Sequence, residues 1–234
     1  MMKETLILLP GLGSTEVNWQ HQVQHLEDQL NVQVTVMDQA LSRSELVNAF
    51  LEQAPEQFYL AGHSYGGWLA QVIAATAPER VLKLMLLNTL SRNNPEHIGL
   101  LEIFKANIKK NLLSESLDAN LENIIFRDRL EDQELVEPLQ NMLKGFSPDS
   151  YLNQVQAMID DYPTEALLSK ISCPTLVVDG RQDDLFPPGE LAFIAEQIPE
   201  ARLTVIEECG HMSPMERPHA VTALMRLWFG TQTI

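Results

Sequence analysis

Three residue types that together activate a hydroxyl group occur in this chain, each in a distinctive setting. Ser64 sits in Gly62-His63-Ser64-Tyr65-Gly66-Gly67, between an apolar run (Phe58-Tyr59-Leu60-Ala61) and a helix-compatible stretch beginning at Trp68. That pattern reads as strand, tight turn and helix with a serine at the apex. Gly62 and Gly66 remove side chains where strand and helix would collide. A serine hydroxyl is a poor nucleophile unless a base stands within hydrogen-bond reach and a carboxylate orients that base. Of the six histidines, His21 and His25 lie on an early amphipathic helix and read as solvated. His63 neighbours the serine, with its side chain expected to point away from the hydroxyl. His97 lies in a helical segment, and His219 opens the last helix. His211, in Glu207-Glu208-Cys209-Gly210-His211-Met212, follows the last strand-like run and precedes the final helix. Loops at the carboxyl ends of parallel strands are where such sheets place their sites. The acid is sought in Asp179-Gly180-Arg181-Gln182-Asp183-Asp184-Leu185-Phe186-Pro187, after the preceding strand. Each motif alone also has a structural reading: the serine pattern arises by chance, and a loop histidine is often only structural.

The elements that must position these residues follow from periodicity. Short Val/Ile/Leu-rich runs predict strands at Thr5–Leu9, Val32–Met37, Gln57–Ala61, Leu82–Leu87, Thr175–Asp179 and Leu203–Ile206. Near-continuous apolar runs suit strands buried on both faces. Helix-period stretches alternate with them, such as Trp19, Val23, Leu26 and Leu30, and Val221, Leu224, Met225 and Trp228. The fold class is α/β: a mostly parallel sheet of about six strands covered by helices. The alternation stops after Asn88. Residues 91–162 carry only helical stripes: Leu101, Phe104, Ile108, Leu112; Leu117, Leu121, Ile124, Ile125; Leu135, Leu139, Met142, Leu143; Tyr151, Val155, Met158, Ile159. Pro138 is expected to kink or start the third of these. The segment reads as a helical lid inserted after the fourth strand, with 1–90 and 163–234 forming the core. The competing reading is an ordinary helical layer.

Composition narrows the partners. The 234 residues carry a net charge of −16 with a pI near 4.7. Such a field repels nucleic acid and anionic membrane surfaces. Cys173 and Cys209 stand in unrelated contexts and read as reduced, packed thiols of a cytoplasmic protein. The apolar run near the N-terminus is too short for a signal-peptide core, and no stretch suits a membrane span. No metal-ligand cluster is visible.

The three motifs together resemble the α/β-hydrolase superfamily, and specifically its lid-bearing esterase-type members, over Leu6 to Phe229. Gly-x-Ser-x-Gly between strand and helix is that family's nucleophile elbow, and the order Ser64, Asp183, His211 is its chain order. The resemblance places the acid at Asp183, by matching a Gly-x-x-Asp-x-x-x-Pro stretch to Gly180 and Pro187. Asp184 is then a flanking residue that caps the following turn. It also implies an oxyanion hole from the backbone N–H groups of Tyr65 and Leu12. Family members usually carry His-Gly in the latter loop, where this chain has Pro10-Gly11-Leu12-Gly13-Ser14, so a supporting hydrogen bond is lost. The connection after Asp38 is abbreviated, which is expected to leave the site more open on that side. No cofactor is implied. The resemblance implies a small-molecule carboxylic ester or thioester as substrate, with lyase or C–C bond hydrolysis as the alternative. Ser64 excludes the aspartate-nucleophile dehalogenases. Trp68 stands where one lyase group has arginine. Leu100, Leu101, Ile103, Phe104 and Ile108 either line an acyl pocket or pack the lid. Trp19 and Trp68 stand either near the site or in the core. Lys105, Lys109, Lys110, Arg127 and Arg129 make the segment locally basic.

Overall fold

Alternation of side chains along central strands sorts the core onto two faces of one sheet. A computed structural model describes residues 3–92 and 94–230. Strands β1 (Thr5–Leu9), β2 (Asn31–Val34), β3 (Phe58–His63), β4 (Val81–Leu87), β5 (Thr175–Gly180) and β6 (Arg202–Ile206) form a parallel sheet in the order β2-β1-β3-β4-β5-β6. Ile7, Leu9, Leu60, Leu84, Leu86 and Val177 point into one buried cluster, and Leu6, Leu8, Tyr59, Met85, Leu87 and Val178 into the other. That is the two-residue period of a strand covered on both sides.

Among the described residues the helices are α1 (Gln20–Leu26), α2 (Arg43–Gln53), α3 (Tyr65–Thr76), α4 (Pro95–Lys109), α5 (Leu113–Ile124), α6 (Gln133–Gly145), α7 (Pro148–Asp161), α8 (Glu165–Leu168), α9 (Glu190–Gln197), α10 (Ser213–Glu216) and α11 (Pro218–Phe229). α1 and α11 cover one face through Leu26, Val221, Met225 and Phe229. α2, α3 and α9 cover the other through Phe50, Trp68, Ile73 and Ile194. No described helix is long and apolar enough to cross a membrane. Both cysteines are buried and free.

Several expected boundaries move, each for a local reason. β2 ends at Val34 rather than Met37, because its ladder closes with Thr35 N–H donating to Leu8 O (3.0 Å). The Met37 carbonyl then serves side chains, accepting from Tyr65 Oη–H and the Gln154 amide, each at 3.1 Å. β3 runs to His63, since Gly62 and His63 still pair with Leu86 and Leu87. β2 and β6 are edge strands and partly exposed, not buried on both faces. Pro138 lies inside α6 and does not start it; the carbonyl of Glu134 loses its helical donor there. Leu112 falls beyond α4, as the residue that leads into α5.

Between β4 and β5 the chain leaves the sheet as α4–α7 and returns where it departed. Thr164 and Glu165 N–H groups both donate to Ser91 O, at 2.9 and 3.2 Å. The buried Glu190 carboxylate fixes the departure point, accepting from Ser91 N (2.7 Å), Ser91 Oγ (2.9 Å) and Arg92 Nε (2.6 Å). The abbreviated loop after Asp38 is braced by α7. Ser150 Oγ–H donates to Asp38 Oδ2 (2.7 Å) and the Asn153 amide to Asp38 O (2.9 Å).

Candidate active site

The turn after β3 concentrates strain in one residue. Ser64 has φ +53° and ψ −119°, a left-handed backbone that a residue with a Cβ adopts only when its surroundings enforce it. They do so here with close packing. A Cβ on Gly62 would lie 2.3 Å from Gly66 O, and one on Gly66 would lie 2.2 Å from Leu9 O. Ser64 N–H donates to Leu87 O (3.0 Å), and its carbonyl accepts from Thr89 Oγ1 (2.8 Å) and Trp68 N (3.0 Å). The hydroxyl is thereby held on the floor of a cavity, the residue being 8% exposed.

Ser64, His211 and Asp183 come together from three loops at the carboxyl end of the sheet. His211 Nε2 lies 2.9 Å from Ser64 Oγ, and His211 Nδ1 lies 2.9 Å from Asp183 Oδ2. Asp183 also accepts from the Asn88 amide (2.9 Å) and from Leu185 N–H (3.1 Å). The turn bond expected of Asp184 is therefore made by Asp183 itself. Burial opposes charge on Asp183, but His211 and these donors outweigh it and hold the carboxyl below the usual carboxylate range. The nearby Asp179 moves the other way: burial, then the Asp183 charge, pushes it up to about 6. A hydroxyl, an imidazole and a carboxylate in series can pass the hydroxyl proton to the ring while the carboxylate fixes its tautomer.

The loop after β1 lies beside Ser64 because β1 and β3 are neighbours, with Leu9 paired to Gly62. Its flanking amides are pinned. Gly11 N–H donates to Asn18 Oδ1 (3.3 Å) and Gly13 N–H to Gln154 Oε1 (2.9 Å). The Leu12 N–H between them has no acceptor among the described residues, nor has that of Tyr65 at the start of α3. Gly13 has φ +66°, and a Cβ there would collide with the Tyr151 side chain, 2.0 Å from its hydroxyl oxygen and 2.1 Å from its ring.

Supports that the sequence reading missed complete the site. Glu216 accepts from Gly210 N (3.1 Å) and Met212 N (3.0 Å), on either side of His211, and from Phe126 N (2.8 Å) between α5 and α6. Burial pushes its carboxyl up. His63 does turn away from Ser64, with Nε2 2.8 Å from His211 O and Nδ1 3.1 Å from Asn18 Oδ1. Burial, then His211, pulls His63 down to about 3. Asn88 and Gln154 carry no local signal, because their partners lie far away in sequence, and the long-range partners of Asn18 and Glu216, His63 and Phe126, are equally unmarked. The Ser213–Glu216 turn beside His211 was the one place where a buried carboxylate was within local reach.

The cavity over Ser64 measures about 540 Å³. Phe104, Leu100, Leu101 and Ile103 line it, whereas Ile108 packs on Phe146 and Tyr151 instead. Trp19 and Trp68 do not reach it. Both are fully buried in the core, Trp19 edge-on to His63 at 6.3 Å and Trp68 donating its indole N–H to Tyr162 O (2.8 Å). Their large apolar area is worth more in the core than at a wet wall. His21 is not simply solvated: it stacks on His25 at 4.0 Å, meets His219 at 4.6 Å and pairs with Thr222 Oγ1 (2.8 Å). These three lie away from Ser64. His97 does line the cavity. Among the described residues no group of three or more His, Cys, Asp or Glu side chains is arranged to hold a metal ion.

The sequence profile of the alpha/beta hydrolase fold matches residues 44–218. The chain belongs to the α/β-hydrolase family. Like its relatives it is an enzyme of the hydrolase class. It is 24% identical to a pimeloyl-[acyl-carrier protein] methyl ester esterase of Nitrosomonas europaea, over 88% of each chain. It is 28% identical to a 2-hydroxymuconate semialdehyde hydrolase of Pseudomonas putida, over 73% of this chain and 61% of that one. The chain thus spans less than two thirds of the length of that relative, and 64% of a carbamate-hydrolase relative from Pseudomonas savastanoi. Among solved structures, the α/β-hydrolase fold here superposes on the enol-lactonase of Burkholderia xenovorans LB400 with a TM-score of 0.88 at 21% identity, covering 97% of this chain and 92% of that one.

Proposed function

We propose that this α/β-hydrolase cleaves a small carboxylic ester or thioester through an acyl-enzyme on Ser64. The observation that carries the reading is the unbroken series Ser64 Oγ, His211 Nε2, His211 Nδ1, Asp183 Oδ2, with both contacts at 2.9 Å, at the floor of a largely apolar cavity. Ser64 Oγ attacks the acyl carbon as its proton passes to His211 Nε2. Asp183 holds the ring and offsets the imidazolium charge. The Leu12 and Tyr65 N–H groups receive the oxyanion; each such donor contributes about 3–4 kcal/mol in the transition state. The C–O or C–S bond then breaks, and His211 returns its proton to the departing alkoxide or thiolate. Water, deprotonated by His211, repeats the sequence on the acyl-enzyme and frees Ser64.

Residues 91–162 act in this reading as a cap whose hold on the site is mechanical. Gln154 pins the oxyanion loop, and Phe126 shares Glu216 with the His211 loop. The loss of the usual histidine at Pro10 is then offset by Asn18 and Gln154. The same series also serves C–C bond hydrolysis, the chemistry suggested by the 2-hydroxymuconate semialdehyde hydrolase relative. A series of p-nitrophenyl esters of graded chain length separates the two. Turnover of simple esters supports the esterase reading, and a fluorophosphonate-reactive enzyme with no esterase activity contradicts it.

A further inference from the structure

The cavity over Ser64 has an asymmetric charge inventory. Among the described residues no Lys or Arg lines it. Four basic residues of 91–162 are paired with carboxylates: Lys105 with Glu102 (3.4 Å), Lys144 with Asp118 (2.6 Å), Arg92 with Glu190 (2.6 Å), and Arg129 with Asp132. Lys109, Lys110 and Arg127 are exposed and do not line the cavity. Glu115, a carboxylate, stands exposed on the lining. The mouth is apolar. Leu100, Ile103 and Leu112 line the cavity while remaining 55%, 60% and 41% exposed.

We propose that this cavity selects esters whose acyl and alkoxy parts are uncharged and mainly apolar, with His97 as a neutral polar group on its wall. The proposal rests on the hydrolase reading of Ser64. His97 lines the cavity with its ring 5.5 Å from both Tyr162 and Phe186, and Phe186 stands edge-on to His211 at 5.0 Å. It is thus a polar group on the His211 side of the cavity, where the leaving group is protonated. It is also the one lining imidazole outside the His63–His211–Ser64 network. Burial, then the neighbouring His211, pulls His97 down to about 4. At pH 7 such a ring carries a proton only about one time in a thousand. It offers one N–H donor and one acceptor, and no charge. A carboxylate carried into the cavity gives up its water and finds no cation, and burying an unpaired charge is costly. Glu115 at the lining and the net charge of −16 add repulsion. An ester with apolar substituents meets none of these penalties and gains contact with Leu101, Phe104, Leu143 and Met158.

Three esters of matched length test this: p-nitrophenyl hexanoate, the mono-p-nitrophenyl ester of adipic acid, and the methyl-capped form of the latter. Wild type should show kcat/KM at least about 100-fold higher for the hexanoate than for the free acid, and capping should restore the rate to within about tenfold. His97→Arg should narrow the gap at least about tenfold by raising turnover of the anionic ester. Because a guanidinium at that position disturbs packing on Tyr162 and Phe186, Asn107→Lys, on a partly buried stretch of the same wall, is the second variant. Equal turnover of the three esters by wild type, or preference for the acid, overturns the proposal. So does a gap unchanged in both variants while each still turns over the hexanoate. Loss of all ester turnover with Ser64 still labelled by a fluorophosphonate overturns the substrate class and leaves the nucleophile standing. Failure of Ser64 to label removes the underlying hydrolase reading.

Discussion

The turn that carries Ser64 and the helix that carries Gln154 reach the same cavity by opposite means. At the turn, geometry comes from contiguous backbone. Two glycines admit a close strand–helix approach, and a left-handed serine is held by bonds to Leu87, Thr89 and Trp68. At α7, a single buried side chain spans 141 residues of sequence to Gly13 and returns a second bond to Met37. Glu216 works like Gln154, joining the His211 loop to Phe126 across 90 residues. The proposed nucleophile is thus built locally, while the groups that place its proposed oxyanion donors and base are supplied by distant segments. Chemistry should be abolished by changes at the first and degraded by changes at the second.

The largest effect is expected in the Ser64–His211–Asp183 series itself. Asp183→Asn keeps the shape but favours the wrong histidine tautomer, and kcat should fall about 10⁴-fold, with thermal stability little changed. Steady-state kinetics beside a melting curve decide it, and a loss of less than tenfold would break the comparison. Gln154→Leu should cost about 10–100-fold in kcat, part of what a lost oxyanion donor costs, with KM nearly constant. Gln154→Glu retains an acceptor for Gly13 and should recover part of that loss. Equal damage to KM and kcat would mean the residue only packs the cap. Glu216→Gln turns an amide N–H toward backbone donors and should shift His211 enough to cost about tenfold in kcat, visible also as a changed His211 proton resonance in NMR.

The smallest effect concerns pH. The folded value of His97, about 4, lies below its ordinary 6.5. The unfolded chain therefore takes up this proton first as pH falls. Stability from the neutral ring is complete above about pH 6.5 and is lost on descending toward pH 4. The melting temperature of His97→Gln should therefore drop less than that of wild type between pH 7 and pH 4. Parallel curves would show that His97 is not held neutral.

What could be read from sequence tracks the same division. The sheet, its order of motifs and the Ser64 turn are written in runs of four to seven residues, where periodicity and glycine placement have direct steric meaning. The loops that carry Asp183 and His211 follow because each begins at the end of a strand, whereas Asp183 is picked out within its loop only by the family resemblance. Trp19 and Trp68 are misplaced by such reasoning, since a large amphipathic ring suits either a wall or a core. Only the packed neighbours decide, and Tyr162 O claims the Trp68 indole. Asn88 marks only the end of the strand–helix alternation in the sequence. Its amide in fact bonds the Asp183 carboxylate at 2.9 Å. Gln154 had no signal of its own, as an ordinary residue in an amphipathic helix whose partner is a backbone amide in the first loop.

Mass spectrometry after fluorophosphonate treatment tests the central claim most directly. The account predicts one stoichiometric adduct, on the peptide carrying Ser64, that disappears in Ser64→Ala together with ester turnover. An adduct on another residue, or a Ser64→Ala enzyme that still turns over ester at the wild-type rate, would contradict it.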